Sequence, residues 1–137
     1  MSPVTTTKLS DADVAAIHQI CDLWDEVLPT RDWDRAAATL SEDFVFYFPE
    51  QPPMNGRSAW RQWVESFPPI QHSKINIEEI DGRDDLAFIR ATQSFTIEAD
   101  GKPVTNTSRW IAILRKQPNG SWLIASEAVT FENAMSL

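Results

Sequence analysis

The sequence predicts an α+β domain in which a curved antiparallel sheet is capped by three N-terminal helices. Three observations carry this. Apolar residues in the first half recur at helical spacing. The second half changes to strand-like runs separated by short Gly- and Asn-containing turns. Helices therefore cluster first and strands last, the order of an α+β chain rather than an alternating α/β one. At 137 residues there is room for one hydrophobic core and not for two.

Residues 1–9 are polar and read as a flexible arm, leaving 10–137 as the single domain. Ser10 with Asp13 three residues later forms a capping-box signature. Behind it, Val14, Ile17, Cys21, Trp24 and Leu28 make one apolar face, and Pro29 is expected to close the helix. A second helix spans about 32–40, with Asp32 and Asp34 at the positive end of its dipole and Trp33, Ala36, Ala37 and Leu40 inward. Phe44–Phe48 is a short aromatic strand ended by Pro49. A third helix over about 58–67 carries Trp60, Trp63, Val64 and Phe67 on one face, and Pro68-Pro69 ends it. Turns at 81–84, 100–102 and 118–120 then divide four strands, over about 73–80, 85–98, 103–116 and 121–131.

Composition excludes several classes of function. Lys plus Arg is 12 against 20 Asp plus Glu, a formal charge of −8, with no basic stripe for nucleic acid or an anionic membrane. The apolar runs are far shorter than the ~20 residues of a membrane span. Cys21 is the single cysteine, so no internal disulfide can form, and a cytoplasmic setting is expected. His18 and His72 make no zinc-like cluster, and neither metal nor cofactor is expected. Six Trp against one Tyr is the outstanding number, and it suits a large core, a pocket or an interface.

Several segments, in order, resemble the nuclear transport factor 2-like cone-barrel superfamily, which includes SnoaL-like polyketide cyclases and ketosteroid isomerases. They are Asp32-Trp33-Asp34, the Leu40–Val45 approach to the first strand, Asn55-Gly56-Arg57-Ser58-Ala59, and Arg115–Ile124 around the last turn. The resemblance covers about residues 11–131. It implies a cone-shaped sheet with a pocket between its concave face and the helices, a small apolar ligand, and a homodimer through the outer sheet face.

The family chemistries transfer unevenly. The resemblance puts Phe48 at the isomerase's base position and Trp24 at its helix tyrosine, and Phe48 cannot accept a proton. It puts Arg90 and Thr92 at the positions of limonene epoxide hydrolase's Arg and one of its acids, with Glu127 near the other. By parity Phe88, Arg90, Thr92 and Ser94 share a face, as do Ala125, Glu127 and Val129, and both faces are expected to be the concave one. The expected site is therefore Glu127 as pocket acid or base, oriented by Arg90. Trp24, Phe46, Phe48, Trp63, Phe88, Thr92, Ser94 and Val129 would line the pocket. A one-residue slip would instead turn Ala91, Gln93, Phe95 and Ile97 inward. Trp33 and Trp60 are assigned to packing, and Trp110 and Trp122 to the outer, dimer-forming face. Arg109, of opposite parity to Trp110, would reach the pocket mouth. The function expected is small-molecule binding, with acid/base catalysis on a polyketide-, terpenoid- or steroid-like ligand. The alternative is a non-catalytic binding or assembly module.

Overall fold

In the computed structural model, residues 8–132 are described. Helix α1 spans Asp11–Thr30, α2 Trp33–Ala37 and α3 Arg57–Glu65. The strands are β1 Leu40–Tyr47, β2 Met54–Asn55, β3 Ile70–Arg83, β4 Leu86–Ala99, β5 Lys102–Lys116 and β6 Trp122–Phe131. They form one open sheet in the order β2-β1-β6-β5-β4-β3. All neighbouring pairs are antiparallel except β1 with β6, which makes the sheet mixed.

The capping box forms as expected. Ser10 Oγ accepts from the Asp13 amide at 3.0 Å, and Asp13 Oδ2 accepts from the Ser10 amide at 3.3 Å. Asp13 also takes Lys116 Nζ at 2.9 Å and the Trp122 indole N–H at 3.1 Å through Oδ1, which pins the start of α1 to the start of β6. These donors hold its carboxyl down at about 2. Pro29 lies inside the last turn of α1 rather than closing it; Arg31 ends the helix in the left-handed region. Its guanidinium donates to the Phe67 and Glu65 carbonyls and so ties the end of α1 to the end of α3. Of the expected arm, residues 1–7 lie outside the described residues; Lys8 bridges to Arg83 and Leu9 packs on the core.

The hairpins follow the turn chemistry. Asp100 and Gly101 both have positive φ, as a tight two-residue turn requires. Gly82 lies within β3 instead of the turn, which falls on Asp84-Asp85. There the β3 and β4 backbones approach so closely that a Cβ on Gly82 would lie 2.3 Å from the Leu86 carbonyl oxygen.

The core lies between the concave sheet face and the helices. On β4 the buried residues are Ala87, Ile89, Ala91, Phe95 and Ile97, and on β5 they are Asn106, Ser108, Trp110, Ala112 and Leu114. Trp110 and Trp122 are therefore both turned inward, correcting their assignment to the outer face; both are almost fully buried. Apolar residues of both parities on β5 explain the ambiguity, since Ile111 and Ile113 alternate with Trp110, Ala112 and Leu114.

Candidate functional site

A cavity of about 120 Å³ opens between α1, α3 and the inner sheet face. That is the size class of a space holding a benzene-like ring, for which about 150 Å³ suffices. Its wall is aromatic. Trp63 packs on Phe48 with ring centroids 4.8 Å apart and on Phe46 at 5.6 Å. Phe48 meets Phe131 at 5.6 Å, and the series continues through Phe95 to Phe67. Tilted and edge-on pairs of this kind add about 0.5–1.5 kcal/mol each beyond their buried area.

Polar atoms on the wall are few. The Trp24 indole donates to Thr39 Oγ1 at 2.9 Å, and the Trp110 indole to Gln93 Oε1 at 3.0 Å. Gln93 Nε2 donates to Ser73 Oγ at 2.9 Å, whose hydroxyl donates to Asp25 Oδ1 at 2.9 Å. Glu127 also lines the cavity. It keeps some solvent contact through the opening, yet protein surrounds it, and burial alone pushes its carboxyl up from 4.5 to about 8. Among the described residues no side chain makes a hydrogen bond or an ion pair to it. Cys21, also on the wall, has its thiol pushed up to about 12 by burial and then by the charges of Glu127, Asp25 and Asp22. Among the described residues no group of His, Cys, Asp and Glu could hold a metal ion.

A bulge aims Glu127. Ile113 pairs with Ser126 and Leu114 with Ile124, leaving Ala125 as an extra residue on β6. Ile124 and Glu127, three positions apart, therefore both face the cavity, followed by Val129 and Phe131.

Of the residues expected in the site, Trp24, Phe46, Phe48, Trp63, Glu127 and Val129 line the cavity. Phe88, Arg90, Thr92 and Ser94 do share one face, but it is the outer one, and this corrects their placement in the pocket. The inward parity belongs to the more apolar series Ala87, Ile89, Ala91, Phe95 and Ile97, so burial sets the register against the expected one. Arg90 pairs on the outside with Glu78 and, at 3.5 Å, with Glu79, so no Arg90–Glu127 pair forms. Arg109 likewise lies outside, 2.8 Å from Glu132. Trp60 packs in the core as expected and also borders the cavity. His18, His72 and Tyr47 are exposed. Parity had missed Ser108 and Trp110; Gln93 and Phe95 had entered only through the slipped register.

The SnoaL-like domain family model matches residues 17–124. The chain belongs to this SnoaL-like family. The matched span takes in most of the cavity wall and stops short of Glu127. Solved structures similar to this SnoaL-like domain agree on the fold. A ketosteroid isomerase-like protein from Erwinia carotovora atroseptica superimposes with a TM-score of 0.77 at 21% identity, covering 90% of this chain and 99% of that one. An NTF2-like protein with a cystatin-like fold from Novosphingobium aromaticivorans gives 0.69 at 13% identity, over 91% of this chain and 85% of that one. A protein from Catenulispora acidiphila in complex with S-DNPA gives 0.75 at 21% identity, over 90% and 96%. No curated protein matches. At these identities the likeness bears on fold and leaves activity to the site itself. No helix among the described residues is long and apolar enough to cross a membrane.

Proposed function

We propose that this SnoaL-like domain binds a small, largely apolar molecule of polyketide, terpenoid or steroid type and that Glu127 acts on it as an acid. One observation carries the reading: a single carboxyl, without a hydrogen-bond or ion-pair partner among the described residues, on a largely apolar cavity wall. Burial keeps its proton on at neutral pH, so it is an O–H donor aimed into an apolar space. Such a group can donate a hydrogen bond or a proton to a ligand carbonyl or leaving oxygen, as isomerisation, cyclisation, dehydration or hydrolysis each require.

A second reading rests on the lack of a companion base. Cys21 is the other ionisable side chain on the wall, and its thiol stays protonated. Paired acid/base chemistry therefore has no second member from the described wall, which favours a binding module that uses Glu127 only to orient its ligand. Both readings carry a cytoplasmic location, supported by the lone buried thiol, and a homodimer through the outer sheet face. Ile111, 49% exposed there, supports the dimer in place of the tryptophans.

The deciding experiment is to identify a co-purified ligand by native mass spectrometry and compare its conversion by the parent and by Glu127→Gln. Lost turnover with affinity within about threefold supports the acid. Equal turnover removes it, and no conversion by either leaves the binding module.

A further inference from the structure

The polar side chains of the cavity wall differ in how fully their hydrogen bonds are used. The Trp24 indole N–H is used by Thr39, and the Ser108 hydroxyl donates to the Gln93 carbonyl oxygen at 3.4 Å. Gln93 is different. Its side-chain oxygen faces the Trp110 indole, which can only donate, so the amide orientation is fixed: oxygen to Trp110, nitrogen to Ser73. Ser73 is itself held by Asp25, which also accepts from the Ile75 amide at 3.1 Å. An amide offers two N–H donors and two acceptor sites. Among the described residues one of each is used, so Gln93 keeps one N–H and one lone pair while both ends of the group are held. Gln93 borders the same cavity as Glu127.

Strand register gives the separation. Gln93 pairs with Ser108 and Ser108 with Phe131, so Gln93 lies two strands and four residues away from Glu127. Strand spacing and rise put their Cα atoms about 16 Å apart. Side chains rising from a concave sheet converge, and a ring with oxygen functions at opposite ends, plus about 3 Å of hydrogen bond at each, fits within that span. We infer that Gln93 is a specificity-determining second anchor and that the cavity selects single-ring carbonyl compounds bearing a hydroxyl at the far end. The carbonyl lies at Glu127, and the hydroxyl, donor and acceptor at once, matches the free N–H and lone pair of Gln93. This rests on the ligand-binding reading above and narrows its ligand to single-ring members, the size that a cavity of about 120 Å³ suits.

The test is calorimetric titration of two matched probes, acetophenone and 4-hydroxyacetophenone. The parent is expected to bind the hydroxylated probe roughly tenfold more tightly, the worth of a well-placed hydrogen bond. Gln93→Leu is expected to abolish the preference, so that the two probes bind this variant with affinities within about twofold of each other. Equal binding of both probes by the parent, or a preference that survives in Gln93→Leu, overturns the role of Gln93 while leaving the cavity as a ligand site. Binding of neither probe overturns the cavity reading and this inference with it. Should Gln93→Leu fail to fold, Ser73→Ala removes the anchor from the amide nitrogen and is expected to reduce the preference at least threefold; an undiminished preference counts against the inference.

Discussion

Phe46 and Glu127 stand opposite each other in the one parallel strand pair of the sheet. A phenyl ring can neither donate to a carboxylate nor neutralise it. The strand neighbour of the cavity's acid therefore favours the protonated form, and the chemistry proposed for Glu127 follows from this pairing as much as from its depth.

Unfolded Glu127 releases its proton near 4.5 and folded Glu127 near 8. Between these values the unfolded chain binds fewer protons, so stability is full below about pH 4.5 and declines as pH rises to 8. A shift of that size corresponds to an upper bound of about 4–5 kcal/mol. Urea unfolding should show Glu127→Gln gaining on the parent from pH 5 to pH 9, with little difference at pH 4. Parallel curves for the two proteins would contradict the burial account.

Arg90→Ala should leave ligand affinity and turnover unchanged. Its partners Glu78 and Glu79 are on the outer face and all three side chains are well exposed. Exposed pairs of this kind contribute about 0–1 kcal/mol. A tenfold loss of affinity in this variant would restore it to the site.

Gly82→Ala should be costly despite its small size. The new methyl would meet the Leu86 oxygen at 2.3 Å and the Ala87 Cα at 2.7 Å, and both are backbone atoms that cannot rotate away. Overpacking of this severity costs about 2 kcal/mol or more. Thermal unfolding is the measurement, and an unchanged midpoint would mean that β3 and β4 separate easily.

Asp13→Ala leaves the Ser10 cap on the residue-13 amide but removes the acceptor of the Ser10 amide, the Lys116 ion pair and the acceptor of the Trp122 indole together. A loss of about 1–3 kcal/mol is expected at neutral pH. Because the folded carboxyl titrates at about 2, below its unfolded value, this contribution is present above pH 4 and lost as pH falls towards 2. Denaturant midpoints at pH 7 and pH 2 should differ between parent and variant at the first and converge at the second.

Most of the architecture was legible because its signals are local. The Ser10–Asp13 box, the spacing from Val14 to Leu28 and the Asp100-Gly101 turn each specify their own conformation. The inward face of β4 is not legible from the hydrolase resemblance, which places Arg90 and Thr92 inside, and Gly82, expected in the turn at 81–84, instead serves a close strand approach. The apolar series at Ala87, Ile89, Ala91, Phe95 and Ile97 carried the correct register all along. On β5 no signal was available, since both parities are apolar. Met54–Asn55 is too short a strand to have a period, and the parallel pairing of β1 with β6 is a matter of topology that residue alternation does not encode.

The spare residue at Ala125 makes the cavity's chemistry depend on counting. Were that deletion made, β6 would become an uninterrupted pleat with Ile124, Glu127, Val129 and Phe131 still inward. The same single-codon loss at Ala128 would turn Val129 and Phe131 out and bring Thr130 in beside the acid. Deletions in this short stretch are thus unequal: the loss of Ala125 keeps the lining, and the loss of Ala128 exchanges an aromatic lining for a hydroxylated one. Drift in segment length, with no change in the acid itself, is a route by which such a cavity could acquire a different ligand.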